Sequence, residues 1–415
     1  MARSVLVIGA GVAGLAAAWS ARRRGASVAM ISAGVGETAL AGGAVDDLPW
    51  EQVERAARLL GGDLPARDLA PAARQLATEL GLWDVPQAEA ARLATVAGRI
   101  RPARGRDRAL LDLGPLRRTR VLVPRAPRAA WDADALAEAL TDEPFARARG
   151  LRFLPVDAPV LRFDDERRIA DGDLAARHDD PARLHWLAER LRGAIEGAGG
   201  AGAILLGPWL GARAPRAEAL SARLGVPVGE ALIGAGSPAG LRFEAARDVL
   251  LDAIGVARRH GRVRAVSEAR VGPGDAGERV AVHVEGEDVP LAADVVILAI
   301  GGLAGGGITY APPERGAGTD LPARGAAPFA LSLAAPVALG DGRGQLGVVS
   351  SMQGPELDVT TWPRGERPGA LEAVGIRCAG VRAAPGILAA GAAIAGRART
   401  VLDAVTTGLR AGDEA

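Results

Sequence analysis

Lysine and asparagine are absent from the 415 residues, and all 50 basic side chains are arginine. Without lysine the chain has no Schiff-base nucleophile and no Walker-type lysine, and without asparagine it has no acceptor for N-glycosylation. Cysteine is reduced to one, Cys378. The chain alone therefore forms no intramolecular disulfide, four-cysteine zinc site or iron–sulfur cluster, and Cys378 reads as a small core residue. No metal site is expected. Neither sign of charge is in excess: the net charge is +1, which argues against nucleic acid as a partner. Long apolar runs are missing too. The best stretches, 199–212 and 326–340, fall short of the roughly 18 residues of a membrane span and are broken by proline or glycine. Met1-Ala2-Arg3-Ser4 leads straight into an apolar strand rather than reading as a signal peptide. The expected location is the cytoplasm, with any contact to the inner membrane peripheral, through a partner.

What is present is ordinary for a globular protein, with 49% hydrophobic and 24% charged residues. At about 150 residues per domain the length suggests two or three lobes. The clearest signal lies at the start. Ser4-Val5-Leu6-Val7-Ile8 is a strand buried on both faces, followed by Gly9-Ala10-Gly11-Val12-Ala13-Gly14 and an alanine-rich helix over Leu15–Arg24. Gly25 stops that helix, and Ser27–Ile31 forms a second buried strand. A GxGxxG motif in this strand–helix–strand context is a dinucleotide-binding fingerprint. Gly9 permits a tight turn, Gly11 lets the backbone approach a pyrophosphate, and Gly14 lets the helix sit close on the strand. Ala10 and Ala13 complete the small-residue loop, and the helix N-terminus offers free N–H groups to the phosphate. The carboxylate that usually ends the second strand and holds the adenosine ribose is replaced by Ser32; the next acid is Glu37.

The loop 36–44 is small and glycine-rich. Flavoproteins of the succinate dehydrogenase and glutathione reductase type carry a similar loop beside the pyrophosphate and the isoalloxazine, which makes Thr38, Gly42 and Gly43 candidate contacts; an ordinary surface turn is the alternative. Farther on, Ala245–His260 reads as a long helix. The strands Arg262–Val266 and Val280–Val284 follow, around a turn-rich segment that begins at Val271, a further candidate contact. Asp294–Ile300 is another buried strand opening into Gly301 and Gly302, and 386–390 is a last one opening into Gly391. Thr400–Leu409 reads as a final helix. Between these returns, Ala133–Leu140 and Pro181–Ile195 read as helices, Ala203–Leu206 as a strand, and the Pro- and Arg-rich stretch near 101–128 as loops and edge strands.

Taken in order, the blocks Val5–Gly14, Thr38–Leu48, Asp173–Ala188, Gly207, Gly240–Arg262, Asp294–Gly307 and Gly386–Gly391 resemble the anaerobic glycerol-3-phosphate dehydrogenase family. Within that three-subunit complex the likeness is to the flavin-binding B-type chain. The resemblance implies an α/β, Rossmann-like flavoprotein fold. A discontinuous flavin-binding lobe would comprise 1–58, 236–308 and 384–415, and an inserted cap or substrate lobe 59–235 and 309–383. It also implies FAD or, alternatively, FMN as cofactor, and oxidation of glycerol 3-phosphate to dihydroxyacetone phosphate. A FAD-containing catalytic subunit and an iron–sulfur subunit would be the partners. Two departures stand out: Ala392 occupies the place of the acid that binds the ribityl chain, and the family's cysteine-bearing C-terminal stretch is replaced by Ala392–Arg397 and a helix.

The sequence names no catalytic residue. Of the four histidines, His178 and His185 flank the start of a helix in the block shared with the family. His260 reads as a helix C-terminal residue and His283 as part of an alternating strand. Each has a structural role as its plainer reading, and Tyr310, after Gly301–Gly307, is a further candidate to face the flavin. Two functions stay open: a flavin-dependent dehydrogenase subunit, or a flavoprotein-fold scaffold or electron-relay subunit with little activity alone.

Overall fold

The computed structural model describes residues 2–46, 70–85, 90–269, 279–311, 330–339, 344–346, 348–350, 374–397 and 399–415. The chain divides into two compact units. One comprises Met1–Glu37, Trp50–Leu76 and Leu250–Ala415, the other Thr38–Pro49 and Ala77–Val249.

The first unit is built on a six-stranded sheet. Strand β1 (Ser4–Ile8) lies at its centre, between β2 (Ser27–Ser32) and Val295–Leu298. Ala257–His260 flanks β2, while Ile387–Ala389 and Arg382–Ala384 extend the other side. All neighbours pair in parallel except the last strand, which is antiparallel. Val5 to Ile8 are buried, as a parallel strand covered on both faces requires. Helix α1 (Val12–Arg23) connects β1 to β2 and is buried along Val12–Ala21. Small residues allow its close contact with the C-terminal helix Val401–Glu414. A Cβ on Gly408 would come 2.3 Å from the Ala13 carbonyl oxygen, and one on Gly412 would come 2.3 Å from that of Ala17. At the amino edge, the Asp294 carboxylate accepts hydrogen bonds from the Ser4 amide and hydroxyl at 2.7 and 2.9 Å. Those bonds hold the Asp294 carboxyl below its ordinary pKa and fix the start of β1 relative to its neighbour.

The second unit carries a four-stranded parallel sheet in the order Val228–Glu230, Ala203–Leu206, Arg120–Pro124, Arg152–Val156. Helices Ala133–Asp142 and Pro181–Gly197 supply Leu136, Leu140, Leu184, Leu187 and Leu191 to its core.

Three readings of the sequence change. The stretch near 101–128 is not only loops and edge strands: Arg120–Pro124 is an interior strand whose Val121, Leu122 and Val123 are fully buried. The long helix expected up to His260 is Pro238–Ala253. Gly255, with φ +69°, ends it, and Ala257–His260 is an exposed edge strand. The lobe boundaries also differ, since the described residues within 309–383 group with the first unit. There Val266 donates from its amide to the Pro336 carbonyl at 2.9 Å, and Ala395 to that of Ile376 at 3.0 Å.

Candidate functional site

In a parallel sheet the strands end on a common edge, and in open α/β sheets that carboxyl edge is where ligands collect. Here β1 ends at Gly9, Val295–Leu298 runs on to Gly301, and Ile387–Ala389 runs on to Gly391. The loops touch. A Cβ on Gly9 (φ +109°) would stand 2.1 Å from the Ala299 carbonyl oxygen, one on Gly14 2.0 Å from that of Gly9, and one on Gly391 2.7 Å from the Ala13 Cβ. A Cβ on Gly302 would lie 3.1 Å from the Ala392 carbonyl oxygen. Gly9, Ala10, Gly11, Ala13, Gly14, Gly301 and Gly391 thus belong to one glycine-lined edge of the first unit.

Its electrostatics suit an anion. Gly11 is the N-cap of α1, with an extended backbone (φ −69°, ψ −179°) and no side chain of its own to cap the helix, and no acid lies in the first turn. Arg22 and Arg23 stand at the opposite end, complementing the helix dipole. The positive end of α1 favours an anion, at a loop in which side chains added at Gly9 and Gly14 would collide with backbone. The residues present fit a dinucleotide pyrophosphate.

Ser32 ends β2 beside His260 of the edge strand. Gly42 and Gly43 belong to the second unit and are accounted for by packing there. A Cβ on Gly42 would come 1.8 Å from the Ile233 carbonyl oxygen, and one on Gly43 2.9 Å from the Asp107 Cβ. Thr38 opens that same unit. Val271 lies outside the described residues, as does the side chain of Tyr310. Arg399, which nothing in the sequence singles out among so many arginines, donates to the carbonyls of Ala392 and Val374. A Cβ on Gly302 would lie 3.7 Å from its guanidinium carbon. It brings a cation to the place where the sequence lacks a ribityl-binding acid.

A model of the FAD binding domain family matches residues 4–141. Its cofactor is FAD. No curated protein matches the chain in sequence. Among solved structures, the chain is similar to CabE, an aromatic hydroxylase from angucycline biosynthesis. The identity is 14% and the TM-score 0.25, over 76% of this chain and 35% of that one. It is similar also to 3-ketosteroid delta1-dehydrogenase from Sterolibacterium denitrificans, with 14% identity and a TM-score of 0.29, over 72% of this chain and 48% of that one. FqzB matches at 13% identity and a TM-score of 0.33, over 99% of this chain and 73% of that one. The chain spans between a third and a half of the length of the first two.

The second unit holds a different set of polar groups. Arg242 is fully buried and paired with Asp107 at 2.9 Å and Glu230 at 2.8 Å. Burial alone would lower its pKa, but the two carboxylates more than offset this and hold it above its ordinary value. Glu166, also buried, pairs with Arg183 at 2.7 Å and Arg177 at 3.1 Å. His178 is 1% exposed, and its Nδ1 lies 2.8 Å from the Trp209 carbonyl oxygen. Burial, with Arg183 nearby, pushes its pKa down to about 4. His178 is therefore a neutral core residue. His185 is exposed on its helix, and His283 Nε2 lies 3.1 Å from the Ser267 hydroxyl in the first unit's meander. Cys378 is half-buried, its thiol pushed up to about 11 by desolvation, which leaves it a poor nucleophile. Among the described residues no metal-holding cluster of histidine, cysteine and carboxylates occurs, and no helix is long and apolar enough to cross a membrane.

Proposed function

We propose that the chain is a flavin-dependent oxidoreductase subunit that oxidises a small hydroxy substrate, glycerol 3-phosphate, and passes electrons to partner chains. The observation that carries the redox reading is the glycine-lined carboxyl edge at the N-terminus of α1, whose Gly9–Gly14 loop lies in the segment that matches the FAD binding domain model. In this reading the Gly9–Gly14 loop and the positive end of α1 hold the pyrophosphate by hydrogen bond and dipole. Gly301, Gly302 and Gly391 keep side chains out of the space beside it, and Arg399 supplies positive charge at the same edge. FAD, when bound, supplies the acceptor for two electrons. One cysteine cannot hold an iron–sulfur relay, so electrons leave to a diffusible acceptor or to a partner chain; on the resemblance of the sequence the partners are a FAD-containing catalytic subunit and an iron–sulfur subunit.

A second reading has its own support. Ser32 and Ala392 leave two customary carboxylates out, and His178 is locked in a core as the neutral form. On this reading the chain is a scaffold or electron relay with little activity alone. The visible absorption spectrum of the purified chain, with mass identification of released FAD or FMN, tests for the flavin. Dye-linked oxidation of glycerol 3-phosphate, by the chain alone and co-expressed with its partners, separates the two readings. Activity only in the complex supports the subunit, full turnover alone rejects dependence on partners, and flavin-free inactive protein favours the scaffold.

A further inference from the structure

The second unit has a ligand-gathering topology of its own. Its four strands are parallel, and their order in the sheet is not their order in the chain. From Arg120–Pro124 the chain crosses to Arg152–Val156 on one side. It then returns to Ala203–Leu206 on the other and continues outward to Val228–Glu230. The connections leaving the two central strands therefore run in opposite directions, and in open parallel sheets the crevice at such carboxyl ends is the usual place for a ligand. The loops there are tied together. Arg128, after the first central strand, and the Trp209 indole, after the second, both donate to Oδ1 of Asp171 at 2.8 Å. The Trp131 and Trp209 rings meet edge to face, 5.4 Å apart.

Polar atoms are left over at this edge. His178 Nδ1 lies 2.8 Å from the Trp209 carbonyl oxygen, so Nδ1 carries the proton and Nε2 keeps a bare lone pair. That Nε2 is buried and, among the described residues, has no hydrogen-bond partner. Arg183 stands in the first turn of the helix Pro181–Gly197, which leads into Ala203–Leu206 and so begins at the same edge. Its Nη2 donates to Glu166 at 2.7 Å and its guanidinium lies over the Trp186 ring, while its Nε and Nη1 are buried without an acceptor. Burial and the Arg183 charge both disfavour a second proton on His178, which puts the two groups within electrostatic reach of each other. Arg162 and Arg177 add like charge beside Arg183, so three cations meet two carboxylates, Glu166 and the Asp165 that pairs with Arg177. Buried polar atoms are nearly always paired. One stranded acceptor and two stranded donors call for a molecule that supplies both complements.

We propose that the carboxyl edge of the second unit's sheet binds a small hydroxylated anion, whose hydroxyl donates to His178 Nε2 and whose negative oxygen accepts from Nε and Nη1 of Arg183. No residue of the first unit takes part. A bare lone pair requires a donor, which an anion without a hydroxyl group does not offer. Buried guanidinium donors are matched best by a charged oxygen, which a neutral polyol lacks. His178 and Arg183 are both buried, so the ligand enters as the tie at Asp171 opens.

Nitrogen-15 NMR of the full-length chain tests this. The chain has four histidines, and substituting His185, His260 and His283 assigns their imidazoles and leaves the His178 signal by elimination, with the core untouched. Lactate and glycerol 3-phosphate carry both groups, as hydroxycarboxylate and phosphate ester; propionate lacks the hydroxyl and glycerol the charge. The expected result is a saturable shift of His178 Nε2 with lactate or glycerol 3-phosphate, at about tenfold or more lower concentration than with propionate or glycerol, as hydrogen bonds to charged groups imply. Whichever of the two binds more tightly identifies the anionic group. Arg183→Lys keeps the charge and loses the fork of donors, and should weaken that binding by about tenfold. Unchanged affinity in the folded variant overturns the role of Arg183. An equal response to glycerol or to propionate overturns the chemistry proposed. A His178 signal that reports a hydrogen bond without any probe and moves with none means that a buried water fills the place, and overturns the site.

Discussion

The two units fill their interiors in opposite ways. The first joins elements by removing side chains: α1 and the C-terminal helix meet through Gly408 and Gly412, and the strand ends meet through Gly9, Gly14 and Gly391. Among its described residues the buried ionisable group is Asp403, paired with Arg397 at 2.6 Å. The second unit buries Asp107, Glu166, His178, Arg183, Glu230 and Arg242. On the proposed reading, close backbone contact serves a ligand that is met by amides and a helix dipole, whereas buried charges fix one arrangement of loops around a small sheet. In the first unit, then, added volume is the sensitive change. In the second it is lost or unbalanced charge.

The largest effect is expected where a buried charge is stranded. Arg242→Met leaves Asp107 and Glu230 without their cation, and removing one partner of such a cluster costs about 3–5 kcal/mol. Chemical denaturation should show this loss; a change under about 1 kcal/mol, the worth of an ordinary exposed pair, would mean that the cluster is not the keystone of the second unit. The next effect concerns pH. His178 titrates near 6.5 when unfolded and at about 4 when folded, so the unfolded state binds its proton first as pH falls. The stability due to the neutral ring is complete above pH 6.5 and is lost between there and pH 4. It amounts to about 3 kcal/mol in all by the linkage of pKa to stability. His178→Gln should flatten that part of the stability–pH curve. An unaltered slope in the variant would assign the effect to other groups.

A smaller change should come from volume in the first unit. Gly408→Ala places a methyl group against the Ala13 carbonyl and is expected to cost about 1–3 kcal/mol by overpacking, even though alanine is the better helix former. Thermal denaturation that shows stabilisation instead would mean that the two helices are not in close contact in solution.

These contrasts also explain what is legible in the sequence. The glycine loop is readable because motif, strand and helix occur in the order that the physics of pyrophosphate binding demands. Val295–Leu298 and Ile387–Ala389 are readable as continuous apolar runs ending in glycine. Arg120–Pro124 is obscured by its arginine- and proline-rich surroundings. Ala257–His260 carries no hydrophobic signature, because all four residues of that edge strand are exposed. The buried clusters leave no trace at all, since arginine, aspartate and glutamate ordinarily mark solvated surface, and only the fold shows that Asp107 and Arg242, 135 positions apart, share one core.

The central claim is that the glycine-lined edge of the first unit cradles FAD, and flavin occupancy of Gly11→Val beside the wild type tests it most directly. Gly11 caps α1 with an extended backbone that valine can adopt, so the substitution adds a side chain at the phosphate approach without demanding a new backbone conformation. The account predicts a yellow wild-type protein that releases FAD on denaturation and a folded Gly11→Val variant that retains almost none. A folded variant with the same FAD content as the wild type would contradict it.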